Sequence, residues 1–268
     1  MVTTPIITFI SDPNEPDLYN DVNGLPNPFT MNVLVGIANT NHTQTLYYKA
    51  SLVSPPSGYS NYVQNLGSVA HDASAIFTFS FQRASPTLTA GELDELLTFR
   101  VDAYTDSGYS VAYANQSLAV TVHQFDHSDA SWTIVSHDTF DGAGNDGWVG
   151  FNVNRTNVQF LTSPNSLICP YDQNSGLGWS AGKSFTVGSF TKARIVFHVY
   201  ADNAYGQQNF EILVNGVAKK PQGLLWLPAD QWLRAAFNSP VNSTFMVYVH
   251  NLSGNNNVYI DEIWVIAK

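Results

Sequence analysis

Asn257-Val258-Tyr259-Ile260-Asp261-Glu262-Ile263-Trp264-Val265-Ile266-Ala267 is a run of β-branched and aromatic residues, with Val258, Ile260, Ile263, Val265 and Ala267 as its apolar members. Such a run fits a pleated, half-buried strand. It ends one residue before Lys268, and a strand that closes a domain is expected beside an early strand of the same sheet. The early partner is expected at His137-Asp138-Thr139-Phe140-Asp141-Gly142, followed by Asn145-Asp146-Gly147-Trp148.

Together these two pieces resemble the opening and closing strands of jelly-roll carbohydrate-binding modules, the galactose-binding-like β-sandwiches. Those domains often open with a (D/S)-x-F-(D/E)…G-W stretch and close with a (Y/V)-I-D-(E/D)-I strand. The resemblance covers residues of about 132 to 268. It implies one structural calcium between the first and last strands, because such modules often hold one there. Calcium takes six to eight oxygens, mixing carboxylates with backbone carbonyls. The matching carboxylates are Asp141 and Asp261, with Asp138 as a third. The plain alternative makes Asp141 a turn residue and Asp261 a solvent-facing strand position.

The chain has 268 residues, enough for two domains that each bury a core. Charged residues make up only 12% and aromatics 13%, so amides and hydroxyls supply much of the polarity. That surface suits an extracellular protein. Residues 1–124 hold three cations (Lys49, Arg83, Arg100) against ten acids, and residues 132–268 hold eight against nine. With no basic stripe, nucleic-acid binding is not expected. The single cysteine, Cys169, allows no intrachain disulfide and reads as a small buried hydrophobe. No 18-residue apolar run is present, so no membrane span is expected. Met1-Val2-Thr3-Thr4-Pro5 lacks the basic and apolar regions of a signal peptide, so export is expected either after signal removal or by another route, such as release of a virion by lysis. Five Asn-x-Ser/Thr sequons, at Asn41, Asn115, Asn154, Asn242 and Asn251, are about what this Asn-rich composition yields by chance.

Along residues 1–124, strands are expected at Ile6–Ile10, Phe29–Ile37, Gln44–Val53, Ala75–Phe81, Leu96–Tyr104 and Tyr109–Val122, with turns at Pro55-Pro56-Ser57-Gly58 and Thr105-Asp106-Ser107-Gly108. About seven short strands, with almost no helical periodicity, resemble an immunoglobulin-like or fibronectin-III-like sandwich in architecture. Residues 125–131 are polar and read as a short linker. In residues 132–268, eight or nine strands follow, and Val214-Asn215-Gly216-Val217 is an Asn-Gly hairpin signal. The fold class is therefore all-β, two antiparallel β-sandwiches in tandem, immunoglobulin-like then jelly roll.

Protein–sugar recognition stacks aromatic rings on pyranose faces and surrounds them with amides and carboxylates. Two segments of the second domain combine these groups, Cys169-Pro170-Tyr171-Asp172-Gln173-Asn174 and Tyr200-Ala201-Asp202-Asn203-Ala204-Tyr205-Gly206-Gln207-Gln208-Asn209. The ligand-binding candidates are Tyr171, Trp179, Asp202, Asn203, Tyr205 and Trp226; Trp148 and Trp232 are expected in the core. Core or interdomain packing competes for any single aromatic of this set. Catalysis has little support: Glu92, Asp94 and Glu95 read as a solvated corner, Asp261 and Glu262 are the other acidic cluster, and no nucleophile elbow or phosphate loop is present. His123 and His127 with Asp126 and Asp129 form a weak transition-metal pattern.

The function expected from these features is a non-catalytic extracellular carbohydrate-binding or adhesion protein whose partner is a glycan or polysaccharide. Two alternatives remain: a structural subunit of a surface assembly (virion turret or spike, surface layer or filament) that contacts copies of itself or other surface or virion proteins, and the ancillary domains of a glycoside hydrolase.

Overall fold

A computed structural model describes residues 4–10, 17–39, 43–150, 152–162, 164–170, 180–201, 210–219, 232–251 and 257–268. The described residues are all-β, and none is helical. The chain divides into two compact units: Met1–Leu18 with Gly24–Gln124, and Tyr19–Asn23 with Phe125–Lys268.

The first unit is a two-sheet sandwich. One sheet has the order β1-β3-β7-β5, from β1 (Ile6–Ile10), β3 (Phe29–Ala38), β7 (Ser74–Arg83) and β5 (Tyr59–Ser60). The other has the order β2-β9-β8-β4-β6, from β2 (Leu18–Asp21), β9 (Ala112–Phe125), β8 (Glu92–Tyr104), β4 (Leu46–Leu52) and β6 (Val63–Val69). Alternation builds the core. In β4, Leu46, Tyr48, Ala50 and Leu52 point inward; in β8, Leu97, Phe99, Val101 and Ala103 do so. Phe99 meets Phe79 and Phe81 of the facing sheet at ring-centroid distances of 6.4 and 5.9 Å, the tilted and edge-on geometries that aromatic pairs favour.

Glu95 corrects the expectation of a solvated acidic corner at Glu92 to Glu95. It is 6% exposed, and its carboxylate accepts from Arg83 Nε (3.1 Å) and Nη2 (2.8 Å), Tyr59 Oη (2.7 Å) and Gln124 Nε2 (2.9 Å). Strand β8 begins at Glu92 rather than at Leu96, so the alternation of the strand turns Glu95 inward along with Leu97.

The second unit is also a sandwich. Its strands are β10 (Thr133–Asp138), β11 (Asn154–Thr156), β12 (Ser166–Cys169), β13 (Ala181–Val187), β14 (Ala193–Ala201), β15 (Phe210–Val214), β16 (Val217–Lys219), β17 (Trp232–Asn238), β18 (Ser243–Asn251) and β19 (Val258–Ala267). One sheet has the order β11-β12-β19-β14-β17, with β10 also paired to β19; the other is β13-β18-β15-β16. The opening strand does pair the closing one, with Thr133 opposite Ala267 and Asp138 opposite Ile263. The Asn215-Gly216 turn joins β15 to β16 with both residues at positive φ (52° and 78°), as a type I′ hairpin demands. Phe185, Phe197, Phe237, Phe245, Ile260 and Val265 fill the space between the sheets, with Cys169 and Trp148 among them.

Strand β19 does not alternate strictly. Val258, Ile260, Ile263, Val265 and Ala267 face the core, so the parity breaks between 260 and 263. The β14 register shifts at the same place, with His198 opposite Asp261 and Val196 opposite Trp264. Glu262 takes a φ of 47° there. This is a β-bulge, which re-aims side chains. It leaves Asp261 and Glu262 next to each other between two inward-facing isoleucines.

Residues 125–131, read above as a linker, are built into the second unit. Phe125 and Trp132 pack with Tyr19, Val196, Ala236 and Ile266 on the sheet face turned away from the main core.

Candidate functional site

Strand register gathers four connections at one end of the second unit. In one sheet, Cys169 at the end of β12 and Ala201 at the end of β14 both lie opposite Val258, the first residue of β19, while Trp232 at the start of β17 lies opposite Tyr200. In the other, the start of β15 (Phe210) lies opposite the end of β18 (Asn251), and the start of β13 (Ala181) opposite Val249. Buried Asn251 ties the two sheets together at this end. Its Nδ2 donates to the Cys169 carbonyl (2.9 Å), and its backbone N–H donates to Ser180 Oγ (3.0 Å). The chain between β12 and β13, between β14 and β15, between β16 and β17, and between β18 and β19 therefore leaves from and returns to the same end.

Those connections hold every ligand-binding candidate named above. Tyr171, Trp179, Asp202, Asn203, Tyr205 and Trp226 lie outside the described residues. The described strand ends beside them add a row of rings, Trp232, expected above in the core, with Tyr200 and Tyr259, at centroid distances of 5.5 Å and 6.0 Å along the row. Tyr200 and Tyr259 are buried and Trp232 is half-buried rather than in the core.

The β19 bulge builds a second constellation. Asp261 is fully buried, and its carboxylate accepts the backbone N–H groups of Leu161 (2.9 Å), Thr162 (3.2 Å) and Glu262 (2.8 Å). Burial pushes its pKa up to about 6, with the charge of Glu262 adding to it and the three N–H donors opposing. Glu262 takes the Thr162 hydroxyl on one oxygen (2.5 Å) and His137 Nε2 on the other (2.5 Å). Burial works against its charge, but these two partners outweigh it and hold the carboxyl below its ordinary range. The His137 ring stacks on Trp264 at 3.4 Å, and His127 lies 4.6 Å from the same indole.

From there the network runs to Arg234. Its Nε donates to His198 Nε2 (3.0 Å), so that nitrogen carries the lone pair, and Nδ1–H of His198 donates to the Glu262 carbonyl (3.0 Å). Burial, together with the positive charge of Arg234, pushes the His198 pKa down to about 4. Arg234 Nη1 also pairs with Asp21 (3.2 Å), whose other partner is His127 Nδ1 (2.8 Å). All four oxygens of Asp261 and Glu262 are engaged by donors.

Two of the three calcium candidates, Asp138 and Asp261, have protein partners. Asp138 is buried and bonded to Lys183 Nζ (2.6 Å), Trp148 Nε1 (2.9 Å) and Ser136 Oγ (3.1 Å). Asp141 is exposed in the turn after β10. Asp261 holds the backbone donors named above. Among the described residues, no group of three His, Cys, Asp or Glu side chains is arranged to hold a metal ion. Of the histidine pattern, His123 is bonded to Asp94 (2.8 Å) and Asp17 (3.4 Å), and His127 to Asp21.

No protein-family model matches the chain, and no curated protein matches its sequence. Among solved structures, the CBM22-1 xylan-binding domain from Paenibacillus barcinonensis Xyn10C is 15% identical, covering 51% of this chain and 96% of its own, with a TM-score of 0.36. The CBM22-1-CBM22-2 tandem domain from the same protein is 11% identical over 92% of each chain, with a TM-score of 0.37. The cleaved adhesin domain of Lys-gingipain from Porphyromonas gingivalis is 11% identical over 51% of this chain and 99% of its own, at 0.36. At this level of superposition, the likenesses carry no argument about fold or function.

Proposed function

We propose that this is a non-catalytic, extracellular carbohydrate-binding protein whose second unit reads a glycan or polysaccharide. One observation supports the proposal: the described strand ends that border the segments containing the aromatic and amide candidates lie at one end of a sandwich. Stacking rings and hydrogen-bonding amides must converge within one sugar's reach to be useful. The ring row Trp232–Tyr200–Tyr259 extends the aromatic character of that end onto the sheet.

The test is calorimetric titration of the full chain with a polysaccharide panel that includes xylan and xyloglucan oligosaccharides, followed by Tyr171→Ala, Trp179→Ala, Tyr205→Ala and Trp226→Ala. Binding of a defined sugar, weakened about tenfold or more by loss of a stacking ring, is the expected result. Silence across the panel against working controls overturns it.

Exposed apolar residues favour a second reading, as a surface-assembly subunit. Ile6 on the sheet-edge strand β1 is 56% exposed, and Val63 on the sheet-edge strand β6 is 58% exposed. Open apolar edges are templates for strand pairing. Light scattering at rising protein concentration tests it: growth of defined oligomers supports assembly, and a constant monomer mass refutes it.

A further inference from the structure

Within the acidic first unit, one cation is set apart from the other two. Over residues 1–124, three cations face ten acids. Arg83 is buried against Glu95 at 2.8 Å, and Arg100 binds Asp102 through Nε (2.9 Å) and Nη2 (2.6 Å). Lys49 lies directly opposite Asp102 in the β4–β8 pairing, yet that carboxylate is given to Arg100. Among the described residues, no carboxylate is paired with Lys49. Its ammonium lies instead over the rings of Tyr104 (5.1 Å) and Tyr109 (5.7 Å).

The rings form a cluster on the outer face of the sheet. Tyr47 and Tyr104 are opposite each other in register and alternate with the buried Leu46, Tyr48 and Ala103. Tyr109 comes over from the turn after β8 and stands edge-on to both, at 6.3 Å from Tyr47 and 5.6 Å from Tyr104. All three tyrosines and Lys49 are partly open to solvent.

Tyr109 is held there against its own backbone preference. Its φ is 54°, in the left-handed region that a bulky side chain avoids. The Asp106 carboxylate fixes the turn by accepting from Val111 N (2.7 Å), Ser110 N (3.1 Å) and Ser110 Oγ (2.9 Å), and Tyr109 N–H donates to the Asp106 carbonyl (3.1 Å). A glycine would occupy this position without strain. A ring placed at such a position, where glycine would be unstrained, points to a use of the ring.

Tyrosine faces stack on the C–H faces of pyranoses, and an ammonium without a carboxylate partner attracts one. A neutral sugar would engage only the rings, and an inorganic anion only the ammonium. A pyranose that carries a carboxylate engages both. The geometry points to a second binding site, on the outer face of the first unit, for a uronic-acid residue of a glycan, with Tyr104 and Tyr109 as the stacking platform and Lys49 as the carboxylate partner. The surrounding acids repel a long polyanion, so the site selects a uronate at a chain end or branch over a run of them.

The experiment titrates the full chain with a neutral oligosaccharide that carries one terminal glucuronic acid and with its methyl ester, at physiological salt, by calorimetry. The acid form binds; the ester, which keeps the rings but loses the charge, binds about tenfold more weakly, and Lys49→Gln lowers affinity for the acid form by a similar factor. Tyr109→Gly also loses the acid form, while its calorimetric Tm holds or rises because glycine relieves the left-handed strain. No binding by the wild-type chain overturns the site, as does affinity unchanged in Lys49→Gln. A Tyr109→Gly chain with lowered Tm and unchanged affinity also overturns it, assigning the ring to packing alone. Ring substitutions at the loop end of the second unit leave these results unchanged, so the two sites fail or stand separately.

Discussion

Asp261 and His198 face each other across the β14–β19 pairing, and their titrations pull stability in opposite directions. Asp261 has its pKa raised from 3.8 to about 6, so between those values the folded chain binds more proton than the unfolded one, and stability falls as pH rises. Ionising it in place costs roughly 3 kcal/mol by pH 7, at about 1.4 kcal/mol per pKa unit. His198 has its pKa lowered from 6.5 to about 4, so the unfolded chain binds more proton in that window, and stability rises with pH. Its contribution is of the same order, roughly 3 kcal/mol, and of opposite sign. The groups around them are Glu262, His137, Arg234 and Asp21. Asp261→Asn keeps an oxygen for the Leu161 and Thr162 N–H groups and removes the ionisation, while its amide nitrogen meets the Glu262 N–H at a cost that does not change with pH. Its stability relative to wild type should climb by about 2–3 kcal/mol between pH 4 and pH 7. His198→Gln should drift the other way, gaining on wild type as pH falls through that window. Urea unfolding followed by indole fluorescence isolates the effect, because all six tryptophans (132, 148, 179, 226, 232 and 264) lie in the second unit. An Asp261→Asn difference that is flat with pH, or that grows toward acid, would refute the assignment of a buried, destabilised carboxylate.

In the first unit, Glu95→Ala leaves the Arg83 guanidinium buried without its partner and strips Tyr59 and Gln124 of their acceptor; a loss of about 3–5 kcal/mol is expected by calorimetry. Gly150→Ala would bring a Cβ to 2.1 Å from the Ser180 carbonyl oxygen and 2.6 Å from Val153 Cγ2, so the paired Val149–Gly182 bridge must shift; about 1–3 kcal/mol of second-unit stability should go, read by the same urea titration. Calcium held by Asp138, Asp141 and Asp261 would have to displace Lys183 Nζ from Asp138 and the backbone donors from Asp261. Thermal melts in calcium and in chelator should therefore coincide, whereas calcium at a hundredfold excess over its Kd would add about 2.7 kcal/mol and a clear rise in Tm.

Much of the sandwich architecture was legible because alternation is a local property. Phe29–Ile37 and Ala193–Tyr200 show their inward faces in the sequence, and Asn215-Gly216 announces its hairpin. Strand β6 was not legible, since Val63-Gln64-Asn65-Leu66-Gly67-Ser68-Val69 is polar and irregular, as an edge strand that buries little can be. Glu95 was misread because charge was weighed without its partner, and Arg83 lies on a different strand, in the other sheet. The Asp261–Glu262 bulge did leave a signal: the apolar residues at 258, 260, 263, 265 and 267 step by three once where a strict strand steps by two. The partners that complete the network, Asp21, His127, His137, His198 and Arg234, carry no such mark. They come from five separate places in the chain: the register of β10, β14, β17 and β19 brings His137, His198 and Arg234 together, and side-chain pairing through Asp21 adds His127.

Asp21 belongs to the second unit although it lies far from residue 125 in the chain. The chain leaves this unit at Asn23 and returns at Phe125, and the two points are clamped: Val22 N–H donates to the Phe125 carbonyl (2.7 Å), and Asn23 Nδ2 donates to Asp126 Oδ1 (2.9 Å) and Ser128 Oγ (2.7 Å). Tyr19 packs with Phe125 and Trp132 and accepts the Arg194 guanidinium on its ring at 4.8 Å. A fragment of residues 125–268 lacks the carboxylate that neutralises Arg234 and orients His127, and it uncovers the face of Val196, Ala236 and Ile266. Removing one partner of a buried charge leaves the other uncompensated, at a cost on the order of 3–5 kcal/mol. That is a large share of the stability of a single domain. The second unit therefore depends on contacts made by Tyr19 to Asn23 as well as on the strands after residue 132. A fragment that restores them through a short tether should regain the stability that the bare 125–268 fragment loses.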